Sequence, residues 1–160
     1  MINTIAISYA GEDTCYELSN VIAAVIQAIP YYNDTAKQDE IQKFTAGKLQ
    51  VKIGEDTYAV IVAYADNEIA GFCLSRFDDY TVWLEWFGVV QEQRRKGIAN
   101  LLLNALAETL APRQCHKIWC DCCTENKAAI HILTAHGYRQ LVTVSNHWYG
   151  QDFILWEKGF

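Results

Sequence analysis

The chain has 160 residues, of which 51% are hydrophobic and 20% charged, a composition that supports one full core and excludes a disordered or low-complexity polypeptide. Nineteen acidic side chains against thirteen basic ones leave a net charge of −6, which argues against nucleic acid as a partner. No apolar run approaches the roughly 20 residues of a membrane span, and the N-terminus lacks a basic segment followed by an apolar one. We therefore expect a single cytoplasmic domain over residues 1–160, a monomer or homodimer, with no membrane attachment.

In chain order, Asn3 to Ser8 reads as a short strand. Thr14-x-x-Glu17 has the form of a capping box, and Leu18, Val21, Ile22, Val25, Ile26 and Ile29 recur at helical spacing until Pro30. A second helix is predicted over Ala36 to Ala46, with Ile41 and Phe44 inward. Lys48 to Ile53 alternates like a strand but also continues a helix. Tyr58 to Ala65, a turn at Asp66-Asn67 and Glu68 to Phe77 make a hairpin. An aromatic-rich strand, Thr81 to Val90, comes next, followed by a polar loop and a helix from Gly97 to about Leu110. After a strand from Lys117 to Cys123, Thr124 is the predicted N-cap of a helix through His136, with Gly137 placed as a C′ glycine. Two strands, Tyr138 to Ser145 and Asp152 to Trp156, flank a loop holding His147, Trp148, Tyr149 and Gly150. The order β-α-α-β-β-β-α-β-α-β-β is an α/β fold with a mixed sheet, because hairpins and helical crossovers coexist.

The loop between the strand ending at Val90 and the helix opening at Gly97 is the most informative stretch. Backbone N–H groups at a helix start have no intrahelical partner and lie at the positive end of the helix dipole. Arg94, Arg95 and Lys96 add charge, and Gly97 and Ala99 are small where a phosphate would approach the backbone. The pattern is an anion site, and it is neither a P-loop nor GxGxxG.

The six cysteines, Cys15, Cys73, Cys115, Cys120, Cys122 and Cys123, read as buried thiols rather than disulfides. Cys120 and Cys123 form a CxxC with His116, His131 and His136 nearby. Their setting, Lys117-Ile-Trp-Cys-Asp-Cys-Cys123, is strand-like, and residues i and i+3 of a strand face opposite sides, so we expect no metal.

Arg94-x-x-Gly97-x-Ala99, together with Asn126-x-x-Ala129-Ile130-x-x-Leu133-x-x-x-Gly137-Tyr138, resembles the two signatures of the GNAT superfamily of N-acetyltransferases. The likeness spans residues 3–158 and is greatest over 69–138. From Phe87 to Tyr138 the chain looks most like ribosomal-protein alanine N-acetyltransferases. The resemblance implies a mostly antiparallel central sheet flanked by helices, with acetyl-CoA as the donor. It also implies that the backbone of Phe87, Gly88 and Val89 pairs with the pantetheine arm at a splay between the fourth and fifth strands. The pyrophosphate would lie on the loop of Arg94, Arg95, Lys96, Gly97, Ile98, Ala99 and Asn100, with Asn126 against the pantetheine or adenine side. The chain departs from many relatives in carrying Leu133 where they have a tyrosine, and Arg95 where a glycine is common.

Amine acylation needs a neutral nucleophile, whereas a primary alkylamine with a pKa of about 10.4 is mostly protonated at pH 7. A base must take that proton, and polar groups must hold the tetrahedral oxyanion. Glu85, between Trp83 and Trp86 and in phase with Phe87 and Val89, is one candidate, a carboxylate desolvated by its neighbours. Asp121, mid-strand between Cys120 and Cys122, is the other; it falls where the alanine acetyltransferases carry an acid, and the two carboxylates are expected to act together through water. Tyr149 is the candidate proton donor to the departing thiolate in place of Leu133. Tyr31, Tyr32, Trp83, Trp86, Trp148 and Tyr149 are candidate walls of an acceptor pocket, with Asp34 or Asp79 attracting a cation. The expected acceptor is a small-molecule amine or a protein N-terminus. A non-catalytic acyl-CoA-binding module of the same fold is the alternative; a cysteine–histidine metal or redox protein is disfavoured by the strand geometry.

Overall fold

The computed structural model describes residues 4–160, so the expected strand start at Asn3 lies outside the described residues. Seven strands form one sheet in the order β1-β2-β3-β4-β5-β7-β6. They are β1 (Ile5–Tyr9), β2 (Val60–Ala65), β3 (Glu68–Asp78), β4 (Thr81–Val89), β5 (Lys117–Cys123), β6 (Arg139–Val144) and β7 (Phe153–Gly159). Every neighbouring pair is antiparallel except β4 with β5. The β2–β3 hairpin turns through Asp66 and Asn67, both at positive φ, the geometry that suits two strands twisting right-handedly.

Five helices cover the two faces. They are α1 (Cys15–Gln27), α2 (Asp34–Lys43), α3 (Ala46–Glu55), α4 (Ile98–Glu108) and α5 (Lys127–Ala135). Three helices, not the expected two, therefore separate β1 from β2. The chain breaks at Phe44, whose ring is buried, and resumes after Thr45 in an extended conformation. The ambiguous stretch after Lys48 is helix because Leu49 and Ile53, four apart, share the buried face while Val51 points to solvent. Two further end signals differ from expectation. Thr14 already has helical dihedrals and its side chain caps nothing, since a 3-10 turn over Glu12–Thr14 leads into α1. Asn126, not Thr124, caps α5, its Oδ1 accepting the Ala129 N–H at 3.0 Å. Gly137 ends that helix at φ 78°, as its C′ position requires.

Period-two alternation divides the core. Ala63, Cys73 and Ile118 pack on one face against Leu102, Leu106 and Leu133 of α4 and α5. Val62, Phe72 and Leu74 pack on the other against Leu18, Ile22 and Ile26 of α1 and Leu49 of α3. No helix among the described residues is long and apolar enough to cross a membrane.

One irregularity positions the site. Leu74 pairs with Trp86 but Ser75 pairs with Leu84, so Glu85 is an extra residue in β4. Such a bulge reverses the facing of everything after it. Val82 and Leu84 join the α4 face before the bulge, and Phe87 and Val89 join it after. The expectation that Glu85 runs in phase with Phe87 and Val89 is corrected: the bulge interrupts that alternation.

Candidate active site

Strands β4 and β5 pair at only two positions, Val82 with Ile118 and Trp83 with Trp119. Beyond them the strands diverge, leaving the β5-facing edge of Glu85 to Val89 without a strand partner. The opening is a cleft of about 980 Å³, lined on one side by Phe87, Gly88 and Val89 and on the other by Cys120, Asp121 and Cys122. Gly88 is required there by close approach. A Cβ at this position would lie 2.7 Å from the Phe72 ring and 3.1 Å from Val25 Cγ1. Gly88→Ala should therefore force α1 away from the sheet and lower thermal stability by about 1–3 kcal/mol; a melting curve matching the wild type would contradict this packing.

At the far end of β4 the chain makes a 3-10 turn over Gln91–Gln93 and enters α4 through Arg95 at φ 61° and Gly97 at φ 79°. Left-handed residues at a helix entrance are the backbone geometry that makes an anion-binding nest of amides. No N–H of residues 95–100 donates a hydrogen bond to any group among the described residues, whereas the Leu101 N–H already bonds the Gly97 carbonyl at 3.2 Å. A Cβ on Gly97 would meet nothing within 4 Å, so open space lies over the nest. Arg94, Arg95, Gly97, Ile98, Ala99 and Asn100 all line the cleft. Arg94 is held by its Nε–H to the Val89 carbonyl at 3.2 Å. Lys96 turns aside to Gln93 Oε1 at 2.8 Å and does not line the cleft. The side chain of Asn100 faces His136 Nε2 at 2.9 Å, and Asn126 lines the cleft while capping α5.

The opposite end of the cleft is aromatic. Tyr31, Tyr32, Trp83, Trp86, Trp148 and Tyr149 all line it, with Tyr32 edge-on to Trp86 at 5.9 Å. Burial raises the pKa of both tyrosines, Tyr31 and Tyr32, so they remain phenols. Asp34 and Asp79, expected to attract a cation, are not in the lining; Asp79 lies in the β3–β4 turn. Glu40, which was not anticipated, is. Its Oε1 accepts the Tyr149 hydroxyl at 2.7 Å and the Lys43 ammonium at 2.5 Å, and its Oε2 accepts the Trp86 indole N–H at 2.8 Å. A sequence signal existed: Ala36, Glu40 and Phe44 share one buried stripe at four-residue spacing.

The two candidate bases have different surroundings. Glu85 has the Lys52 ammonium 2.6 Å from Oε2, off the hydrogen-bond direction, and the Arg76 guanidinium 3.7 Å from Oε1. Its charge is balanced by cations rather than merely enclosed by tryptophans. Among the described residues Asp121 accepts only the Trp148 indole N–H, at 2.6 Å on Oδ2, and no cation pairs with it. Burial raises its pKa and the Trp148 hydrogen bond opposes that rise. Tyr149 sits at φ 57° with its carbonyl accepting from Asn33 Nδ2 at 3.0 Å. Burial, and then the Glu40 carboxylate, raise the pKa of its hydroxyl. Leu133 is buried and lines the cleft. Among the described residues no three His, Cys, Asp or Glu side chains converge to hold a metal.

The whole architecture recurs in solved structures. The PaiA N-acetyltransferase from Thermoplasma acidophilum in complex with coenzyme A superposes with a TM-score of 0.85 at 17% identity, over 98% of this chain and 99% of that one. A ribosomal-protein-alanine N-acetyltransferase from Brucella melitensis gives 0.78 at 19% identity, over 97% and 99%. An Arabidopsis thaliana protein in complex with the bisubstrate analogue CoA-Ac-MVNAL gives 0.69 at 19% identity, over 98% and 99%. At these identities the likeness establishes the fold. The sequence itself matches the model of the Acetyltransferase (GNAT) family over residues 26–138, which contain the amide nest, the open seam and Asp121, and the chain belongs to that family.

Proposed function

We propose that this acetyltransferase moves an acetyl group from acetyl-CoA directly to a primary amine, carried by a small molecule or a protein N-terminus, with Asp121 as the base. The observation that carries the reading is a continuous path. Six unpartnered amides at residues 95–100 lead along the unpaired edge of β4 to a half-buried carboxylate that pairs with no cation among the described residues. The nest and the guanidinium groups of Arg94 and Arg95 suit a pyrophosphate. The free β4 edge at Phe87, Gly88 and Val89 suits the amides of a pantetheine arm, which would add to the sheet as a short extra strand. Asn126, with Oδ1 occupied by its cap, has its amide N–H groups available to the same arm.

As the amine nitrogen attacks the thioester carbonyl it gains positive charge and its protons become far more acidic. Asp121 then takes one, directly or through a water, while β4 amides hold the oxyanion. The C–S bond breaks and CoA leaves as a thiolate; with a pKa of about 8.5 it can depart as the anion and take its proton from solvent. The reading therefore needs no dedicated acid. We assign Tyr149, whose proton already goes to Glu40, to the acceptor wall, and Glu85 to the bulge that turns β4. Burial pushes the thiol of Cys122 up to about 11, so the cleft offers no thiolate to carry the acetyl group, which supports direct transfer. Aromatic walls around one free carboxylate suit an alkylammonium. The peptide-linked analogue in the Arabidopsis protein and the substrate in the name of the Brucella enzyme favour keeping an N-terminus among the acceptors.

Arg94→Ala combined with Arg95→Ala should weaken CoA binding at least tenfold, since hydrogen bonds to charged groups contribute about 1.5–3 kcal/mol each, with Lys96→Ala near wild type. Calorimetric titration with CoA checks this, and unchanged affinity in the double variant would remove the pyrophosphate site. CoA release from acetyl-CoA with a panel of amines tests the reaction.

A further inference from the structure

We infer that Trp148 is the positioning residue for the base: its indole covers Asp121 against water, and its N–H fixes which carboxylate oxygen faces the cleft. The inference rests on the reading of Asp121 as the base and concerns what prepares it.

Trp148 leaves half its surface in solvent, yet its Nε1–H reaches inward to Asp121 Oδ2 at 2.6 Å. An exposed indole has no need of so short an internal hydrogen bond to satisfy one donor; the cost of immobilising it is met by other contacts. His147 lies against the indole with ring centroids 4.2 Å apart. The turn beneath it is tied at both ends, His147 N–H to the Gln151 carbonyl at 2.8 Å and Gln151 N–H to the Trp148 carbonyl at 3.0 Å. The next residue, Tyr149, is fastened to the N-terminal half of the chain through Asn33 and Glu40. With Oδ2 occupied by the indole, Oδ1 has no partner among the described residues and is the oxygen left for the incoming amine. Trp148 thus acts on Asp121 in two opposed ways. The ring excludes water and makes the carboxylate more basic, while the N–H stabilises its charged form and makes it less so.

The charged and titratable groups facing Asp121 are His147 on the turn that carries Trp148, Glu40 and Lys43 across the cleft on α2, Tyr32, and its strand neighbours Cys120 and Cys122. In β7, Asp121 is opposite the apolar Leu155. Of these, His147 packs on the indole, and Trp148→Phe keeps a ring there for it, so the donor and the cover are separated by comparing two variants. Trp148→Phe keeps the cover and deletes the donor; Trp148→Ala deletes both.

The experiment follows the 13C carboxyl resonance of Asp121 with pH in the CoA-bound protein, alongside the acid limb of kcat/KM. Loss of the donor should move the Asp121 titration and the limb to higher pH in Trp148→Phe, and loss of the cover should place both at lower pH in Trp148→Ala than in Trp148→Phe. No shift in Trp148→Phe, or a Trp148→Ala titration at or above that of Trp148→Phe, would overturn the inference. Asp121→Asn separates it from the reading beneath. If the acid limb survives in Asp121→Asn, Asp121 is not the base, and the carboxyl resonance still reports whether Trp148 governs it.

Discussion

Asp121→Asn should lower kcat/KM by about 10²–10⁴-fold, the range removed with a positioned general base, while leaving CoA affinity at the wild-type value. The substitution is nearly isosteric, and the amide oxygen can still accept the Trp148 N–H, so the wall of the cleft keeps its shape. What is lost is the ability to take a proton. Because burial raises the Asp121 pKa, the base is half-protonated at a higher pH than an exposed aspartate, and activity should fall as pH drops through that point. Glu85→Gln provides the contrast. Its carboxylate is balanced by Lys52 and Arg76, so its loss should disturb the bulge and leave the acid limb in place. Steady-state rates at saturating acetyl-CoA across a pH series distinguish the two. Wild-type rates in Asp121→Asn, or disappearance of the limb in Glu85→Gln, would reassign the base.

The second large effect is on stability. Arg113, just beyond α4, has a side chain only 4% exposed and carries its charge into the interior. Asp56, at the end of α3, meets it at 2.6 Å, and Ser75 Oγ and Thr109 Oγ1 each accept from it at 3.1 Å. The guanidinium also lies 5.9 Å from the centroid of the Tyr58 ring. This cluster fastens the helices of one face to those of the other around the sheet. Asp56→Ala removes the only anion that pairs with this buried cation among the described residues, a change that costs about 3–5 kcal/mol because the remaining charge is uncompensated. In a domain of this size that corresponds to a Tm lower by roughly 10 °C. Adding Arg113→Met should recover much of the loss, since replacing both partners with apolar groups is often close to neutral. Calorimetry on the single and double variants measures this directly. A Tm for Asp56→Ala within about 2 °C of wild type would show that the pair contributes little.

The parts of the fold that were legible from sequence are those written in local chemistry. The turn residues Asp66 and Asn67, the left-handed Gly137 and the basic loop ending at Gly97 are each required by backbone geometry where they stand, and each signals its element without knowledge of the rest. What was not legible depends on contacts distant in sequence. No glycine or proline lies between Asp34 and Phe44, yet the helix ends there, with the Phe44 ring in a core built from α1, α3, β2 and β3 and Thr45 opening the next helix. The bulge at Glu85 is a mismatch between two strands and has no mark on one strand alone. The spacing of Ala36, Glu40 and Phe44 turns Glu40 inward, but its partners Trp86 and Tyr149, 46 and 109 residues away, are brought to it only by the fold. Asp121 was identifiable as a carboxylate in a buried strand, but only the fold reveals that Trp148 covers it while Glu85 is given two cations.

A crystal structure of the CoA complex tests the central claim most directly. Pyrophosphate oxygens should accept hydrogen bonds from the N–H groups of residues 95–100. The pantetheine amides should pair with β4 at Phe87 to Val89, and the sulfur should end in the cleft beside Asp121. CoA bound elsewhere, or with its sulfur directed away from Asp121, would contradict the account.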